Sequence, residues 1–313
     1  METINLFFSC DENYVPFLGV TLESLKENRN PARRYEIRIL HTGLGRASME
    51  RVTESFASEN FDIGFVNITS QVERFTRRLH TRDYYSKSTY YRLFIPEMFP
   101  QLDKALYLDS DLVVRGDISE LYDTPLGDNL VGAIPDGFVN AVGELREYVC
   151  RRLNLNSAEL YFNAGILLMN LKAMRQFRFQ EVFLELLGAV TFQVAQDQDY
   201  LNAICRGRVA YIDPTWNAMP DGRPVREPKL VHYNVDAKPW HKDHVRYGDY
   251  FWNYADRSPY SREIRKIRSA YSEADTEKSA RETVNLIAMA TRQAHEKEEN
   301  CRIHAEIDRV VGQ

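Results

Sequence analysis

The sequence predicts an α/β fold: a mostly parallel, mixed sheet followed by a C-terminal helical appendage. Three observations predict it. Short β-rich runs alternate with helical stretches over the first two-thirds of the 313 residues. Two of those runs, "FFSCDEN" and "LYLDSD", end in acids, which puts both sets of acids at the strand edge where such sheets bind ligands. From about residue 242 the character shifts to arginines mixed with aromatics, and then to a long charged stretch.

The elements follow in order. "INLFFS" (4–9) is a compact apolar run and reads as a strand, and Pro16 to Lys26 as a helix. "YEIRILHT" (35–42) alternates with period two, as a strand does, while "RASMERVTESFASE" (46–59) spaces its apolar residues helically. "FDIGFVNIT" (61–69) reads as a strand, "STYYRLFIPEMF" (88–99) as a helix and "KALYLD" (104–109) as a strand. "LVGAIPD" (130–136) and "AGILLMNL" (164–171) add strands, and "DQDYLNAIC" (197–205) starts a helix. Residues 274–311 are polar and helical, with loosely spaced apolar positions at Leu286, Met289, Ile303, Ile307 and Val310 that suggest packing or self-association as a homo-oligomer. The division is a core over 1–241 and a helical extension over 242–313.

Composition narrows the function classes. A formal net charge of −5 gives no basic field for a nucleic-acid backbone, so no nucleic-acid partner is expected. Four cysteines, at 10, 150, 205 and 301, have no paired spacing and fit reduced thiols. The opening "METINLFFSCDENY" flanks a short apolar run with acids, unlike a signal peptide, and no later run has the length of a membrane span. A cytoplasmic location is expected. From 242 to 268 seven Lys or Arg stand against four acids, interleaved with Tyr247, Tyr250, Phe251, Trp252, Tyr254 and Tyr260. Such a mixture fits an anionic membrane surface, so peripheral contact at the inner membrane face belongs to the expectation, beside ordinary packing of an amphipathic helix on the core.

"LYLDSDLVV" (106–114) sets Asp109 and Asp111 inside an apolar run. Residues two apart on a strand face one side, so both acids can aim at one point, with Asp111 either on the strand or already in the turn that follows it. Two unpaired carboxylates that close are costly, so one is protonated or a cation lies between them. Hard carboxylate oxygens suit Mg²⁺ or Mn²⁺. The same letters also fit the D-x-D-x-[TV] nucleophile motif of haloacid-dehalogenase-type phosphatases, with Asp109 as nucleophile, although about a hundred residues of α/β pattern precede it.

Several segments read together resemble glycosyltransferase family 8, retaining transferases with a glycosyltransferase-A fold, a Rossmann-like nucleotide-sugar-binding core. They are "FFSCDENYVPFLGVTLESL", "STYYRLFIPEMFP", "KALYLDSDLVVRGDISELY", "YFNAGILLMNL", "DQDYLN" and "HYNVDAKPWH", in family order from residue 4 to about 241. The resemblance implies a UDP-sugar donor such as UDP-glucose or UDP-galactose, and a glycan or lipid-linked saccharide acceptor. It implies a divalent metal on Asp109, Asp111 and His232, and an imidazole among the ligands tilts the choice to Mn²⁺ over Mg²⁺. Lys238 would add positive charge on the leaving diphosphate. Ser9, Asp11 and Asn13 would meet the nucleotide, Ser110 the ribose, and Arg92 the donor sugar and diphosphate. Asp136, Asn163, Asp197 and Gln198 would line the sugar pocket as the catalytic set, with Asp197 and Gln198 near the anomeric carbon.

Each residue has a plainer explanation when taken alone. "DEN" after a strand is a natural helix cap, "AIPDG" a turn, "DQD" a cap with favourable dipole placement, and His232 a structural histidine. One departure from the family stands out: Val235 occupies the glycine position of the histidine-to-lysine loop, where glycine lets backbone approach phosphate. A non-catalytic UDP-sugar-binding relative therefore stays beside the transferase and the phosphatase. A nucleotidyltransferase would share fold and metal, but "SCDENYVP" lacks its glycine-rich, basic signature.

Overall fold

The computed structural model describes residues 2–73 and 87–312. Its core is a seven-stranded mixed sheet in the order β3-β2-β1-β4-β7-β6-β8. The strands are β1 (Thr3–Ser9), β2 (Arg34–His41), β3 (Phe61–Asn67), β4 (Ala105–Leu108), β6 (Val131–Pro135), β7 (Phe162–Met169) and β8 (Val209–Tyr211). β1 pairs in parallel with β2 and with β4, whereas β7 runs antiparallel to both β4 and β6. A second sheet has two antiparallel strands, β5 (Leu112–Val114) and β9 (Leu230–His232). The fold class matches the expectation, and the chain ends in four helices, Gly248–Ala255, Ser261–Ala270, Glu273–Ala294 and Lys297–Val311.

The direction of each strand decides where the site lies. Because β7 is antiparallel to β4 and β6, its first residues sit at the same sheet edge as the last residues of β1, β4 and β6. Asn163 is thus already inside β7, rather than in a turn before it.

The largest difference from expectation concerns Asp109 and Asp111. β4 stops at Leu108 and β5 starts at Leu112, so the acids occupy the break between two strands of two different sheets. The apolar letters on both sides are buried for two separate reasons: β4 in the main sheet and β5 against β9. The free edge of β5 is satisfied by the helix Val15–Glu27. The Leu112 amide donates to Thr21 Oγ1 at 3.2 Å and the Val114 amide to Ser24 Oγ at 2.9 Å. Two polar side chains on a buried helix face thus stand in for a missing strand and fix the break.

Residues 88–99 also depart from the expected single helix. A 3₁₀ segment, Lys87–Phe94, precedes one α-turn, Ile95–Met98. Pro96 lacks an N–H and fits only a first turn, so the α-helix begins anew there. The helices Gly143–Arg152, Leu171–Gln176 and Phe179–Ala189 and the strands β5, β8 and β9 were not expected from periodicity. Three of these are strands of three residues, too short to show a period.

The C-terminal helices cover the core. Phe251, Tyr254 and Tyr260 are buried, and Tyr247, Tyr250 and Trp252 are partly buried against them. A Cβ on Gly19 would lie 2.3 Å from Tyr260 Cδ2, so the glycine leaves the space that the tyrosine ring fills. Arg115 stacks over Tyr250 at 3.6 Å and Arg51 over Tyr260 at 4.2 Å. The aromatics of 242–268 are therefore used in packing. Leu286, Ile303, Ile307 and Val310 are buried too, so the apolar stripe of 274–311 is covered within the chain itself. No helix among the described residues is long and apolar enough to cross a membrane.

Candidate active site

One cavity of about 380 Å³ opens at the shared strand edge, within the size range of small-ligand pockets. All thirteen residues singled out from the sequence line it: Ser9, Asp11, Asn13, Arg92, Asp109, Ser110, Asp111, Asp136, Asn163, Asp197, Gln198, His232 and Lys238. They come from five strand ends and four connecting segments, and only the topology joins them.

The acid pair lies at its centre. The β5–β9 register sets Leu112 opposite His232, which carries the imidazole to the strand break. One ligand atom each from Asp109, Asp111 and His232 lies within 4.8 Å of the others. His232 Nε2 stands 3.4 Å from Asp111 Oδ1 and 3.7 Å from Asp109 Oδ2. Ligands about 2.1 Å from an octahedral ion stand about 3 Å apart, so this donor set fits a divalent cation once the three side chains draw together around it. The cradle is kept open by Gly165. A Cβ there would lie 2.4 Å from His232 Cε1 and 2.6 Å from Asp109 Oδ2, so any other residue would push the ligands apart.

Each carboxylate also has its own cation from the protein. Arg92 Nη2 is 3.0 Å from Asp109 Oδ1, and the Tyr107 hydroxyl donates to the same oxygen at 3.0 Å. Lys238 Nζ donates to Asp111 Oδ2 at 2.7 Å and to the Tyr233 carbonyl at 2.8 Å. Burial alone would push the Asp111 carboxyl up. The Lys238 ammonium and the His232 imidazole outweigh it and hold that carboxyl well below the usual range. Lys238 answers in kind: burial would lower it, but Asp111 and then Tyr14 keep it above its ordinary value.

On the opposite side the Gln198 amide makes three hydrogen bonds. Its Nε2 donates to Asp136 Oδ2 at 3.0 Å, and its Oε1 accepts from the Ala164 amide at 2.9 Å and from Asn163 Nδ2 at 3.2 Å. Asn163 Nδ2 also reaches Asp136 Oδ2 at 3.0 Å. The other Asp136 oxygen accepts from the Val139 amide at 2.8 Å, a helix cap, so the turn expected there and the site residue are one. Asp197 is buried, 3.2 Å from Arg92 Nε. Burial pushes its carboxyl up to about 7, with Arg92 pulling it back and Asp109 adding to the rise.

At the end of β1, Asp11 Oδ1 accepts from the Asn13 and Tyr14 amides at 3.0 and 3.2 Å, so it caps the next turn while lining the cavity. Ser110 Oγ donates to the Ser9 carbonyl at 2.8 Å, tying the acid break to β1. Val235 takes φ of +51°, in the left-handed region. That backbone is free for glycine and costly for a β-branched residue, so the loop keeps the conformation a glycine would give it, under strain. Gln196, just before Asp197, is at φ of +48°. Strained backbone thus flanks both sides of the cavity.

Sequence reasoning missed the supports. Asp199 accepts from the Tyr161 and Tyr148 hydroxyls at 2.7 and 2.8 Å and from the Ala195 amide at 3.0 Å, anchoring the turn that presents Asp197 and Gln198. Tyr107 and Gly165 sit within quoted segments and carried no separate signal, because an apolar strand hides a tyrosine or glycine well.

The model of Glycosyl transferase family 8 matches residues 5–244. The chain is 27% identical over 280 residues to a lipopolysaccharide 1,2-glucosyltransferase of Escherichia coli, covering 83% of this chain and 80% of that one. It is similar in structure to the galactosyltransferase LgtC, solved in complex with donor and acceptor sugar analogs. The TM-score is 0.69 at 30% identity, with 82% of this chain and 96% of that chain covered. The bifunctional glycosyltransferase WbbM gives a TM-score of 0.72 at 28% identity; 86% of this chain covers 52% of that larger one.

Proposed function

The chain belongs to glycosyl transferase family 8 and is a metal-dependent glycosyltransferase, and on that premise we propose that it moves glucose or galactose from a UDP-sugar to a saccharide with retention of configuration. The observation that carries the reading is the Asp109–Asp111–His232 cluster, at the strand break where a diphosphate would lie across the end of β1. The relatives named above act on sugars, one of them on lipopolysaccharide by its name, which supports a glycan or lipid-linked acceptor.

We assign the roles as follows. Asp109, Asp111 and His232 hold the cation, and the imidazole favours Mn²⁺ over Mg²⁺. When bound, the cation supplies Lewis-acid stabilisation of the charge left on the diphosphate. Lys238 moves from Asp111 onto the departing phosphates, adding a second positive charge. Asp11 and Asn13, at the open end of β1, meet the nucleotide with Ser9 beside them, and Ser110 approaches the ribose. Arg92 spans Asp109 and Asp197 and so holds the metal side and the sugar side in register. Asp136, Asn163 and Gln198 form one hydrogen-bonded unit against the hexose, with Gln198 and the buried Asp197 on the side of the anomeric carbon.

The C–O bond from the anomeric carbon to the diphosphate breaks, and an acceptor hydroxyl oxygen bonds to that carbon. Its proton passes to the leaving phosphate oxygen or to solvent. Residues 1–241 are taken as the catalytic domain and 242–313 as its extension. The location proposed is cytoplasmic, at the inner membrane face. The exposed Arg262, Arg265 and Lys266 of the helix Ser261–Ala270 would supply the contact by charge.

The phosphatase reading is not favoured. The match to the transferase family over residues 5–244 and the Asp111 and His232 partners beside Asp109 favour a metal ligand over a nucleophile. The test is hydrolysis of a UDP-sugar panel with Mn²⁺, comparing wild type with Asp111→Ala. Turnover of UDP-glucose or UDP-galactose that collapses in the variant is expected; no binding or turnover of any UDP-sugar under any metal defeats the reading.

A further inference from the structure

The helix Glu273–Ala294 meets the cavity at one residue and the loops on either side of it at two more, the three spaced seven residues apart. Ser279 Oγ bonds Asp236 Oδ1, next to Val235 in the loop that ends in Lys238. Leu286 lines the cavity and is 4% exposed. Gln293 Nε2 donates to Gln193 Oε1 at 2.8 Å, in the loop that leads through Gln196 to Asp197 and Gln198. Seven residues are close to two helical turns, so the three side chains share one face and span about 21 Å. The helix therefore bridges the two loops with strained backbone, and Leu286 closes the wall between them.

The wall it closes is apolar. Leu286 stands with Phe138, Val139, Leu145 and Val194 among the residues lining the cavity. Phe138 and Val139 lie in the first turn after Asp136, and Val194 lies three residues before Asp197. These residues are thus joined in the chain to Asp136 and Asp197, on the sugar side. The hydroxyl-binding groups there, Asp136, Asn163 and Gln198, form their own cluster, and beyond them the five side chains offer no hydrogen-bonding atom.

We propose that the helix Glu273–Ala294 is a wall of the active site and that Leu286 is a specificity-determining residue for an acceptor saccharide carrying an apolar aglycone. The inference rests on the transferase reading and deepens it. A polar sugar ring is met by the Asp136 cluster, and its apolar substituent is desolvated against Leu286 and its neighbours. The extension is then a part of the acceptor site and not a separate appendage.

The experiment uses the full chain with Mn²⁺ and UDP, and measures binding of octyl and methyl glucosides and galactosides by calorimetry. UDP-sugar hydrolysis and the thermal midpoint are followed in parallel. Wild type is expected to bind an octyl glycoside more tightly than its methyl counterpart. Leu286→Ala is expected to weaken octyl binding about tenfold and methyl binding by no more than about twofold, with any change in the KM for UDP-sugar hydrolysis smaller than the loss of octyl binding. Leu286→Met, which conserves volume, should stay near wild type, and the midpoint shows that each variant is folded. Should Leu286→Ala not fold, Leu286→Phe takes its place and must exclude the octyl chain.

Equal binding of octyl and methyl glycosides overturns the aglycone. A Leu286 variant that changes UDP-sugar KM as much as octyl binding overturns the acceptor-side placement. Wild type that hydrolyses UDP-sugar yet binds neither glycoside overturns this inference and leaves the proposed function standing. Wild type that neither binds nor hydrolyses any UDP-sugar fells both.

Discussion

Lys238 Nζ sits 2.7 Å from Asp111 Oδ2, on a carboxylate that also belongs to the metal-ligand cluster. One acid is thus shared between an internal cation and the divalent ion that the cluster fits. Removing the lysine leaves a buried carboxylate without its partner, a loss typically of about 3–5 kcal/mol. Lys238→Met is therefore expected to lower the thermal midpoint sharply without metal and to regain much of it with Mn²⁺, which takes over the charge. Thermal melts with and without Mn²⁺ check this; a wild-type-like midpoint without metal would show that the pair contributes little.

Gly165 admits His232 and Asp109 to the same point, since a Cβ there would lie within 2.6 Å of both. Gly165→Ala should reduce Mn²⁺ affinity by about tenfold or more, in the range seen when a metal site's supports are disturbed. Gly143→Ala is the control, because a Cβ there meets nothing within 4 Å. Titration of Mn²⁺ against activity distinguishes them.

Asp199 is fully buried, and burial lifts its carboxyl from 3.8 to about 6 against the Tyr161, Ala195 and Tyr148 donors that favour the anion. Its folded value is raised, so its contribution to stability is complete below about pH 4 and is lost as pH rises through 6. The loss is roughly 3 kcal/mol when it is fully ionised. Asp111 acts in the opposite sense and in another window: its folded value is lowered, so its contribution is present above the ordinary carboxylate value and is lost in stronger acid. Denaturant unfolding from pH 4 to pH 7 should show wild type losing stability relative to Asp199→Asn. A constant difference across that range would contradict the assignment.

Val235 holds a left-handed backbone at φ of +51°. Val235→Gly removes that strain, and after the greater freedom of glycine in the unfolded chain is deducted, a gain of about 1 kcal/mol is expected. If the loop meets the diphosphate, the KM for UDP-sugar should fall as well. Unchanged KM with raised stability would confine Val235 to the loop's own conformation.

Much of the site was legible in "LYLDSDLVV" and its distant partners, because the chemistry needs particular residue types in a particular order. Carboxylates, an imidazole and an ammonium cannot be replaced by similar-looking residues, so Asp109, Asp111, His232 and Lys238 stand out as letters. The supports did not. Gly165 and Asp199 act through contacts across tens of residues and Tyr107 through one to Asp109 two residues on, and their letters are ordinary in a strand or a helix.

By itself, the sequence determined the α/β rhythm, since burial and backbone pairing impose periods of 2.0 and 3.6 that the apolar residues must follow. It also carried the family, through ordered segments from residue 4 to about 241. Tertiary structure alone decided that the two acids lie in a break between sheets. It paired each with its own cation and turned the aromatic tail inward. It also set Leu286, a residue of the extension, into the cavity wall. These outcomes depend on strand register and helix docking, which are fixed by contacts between residues far apart in the chain and leave no local period to read.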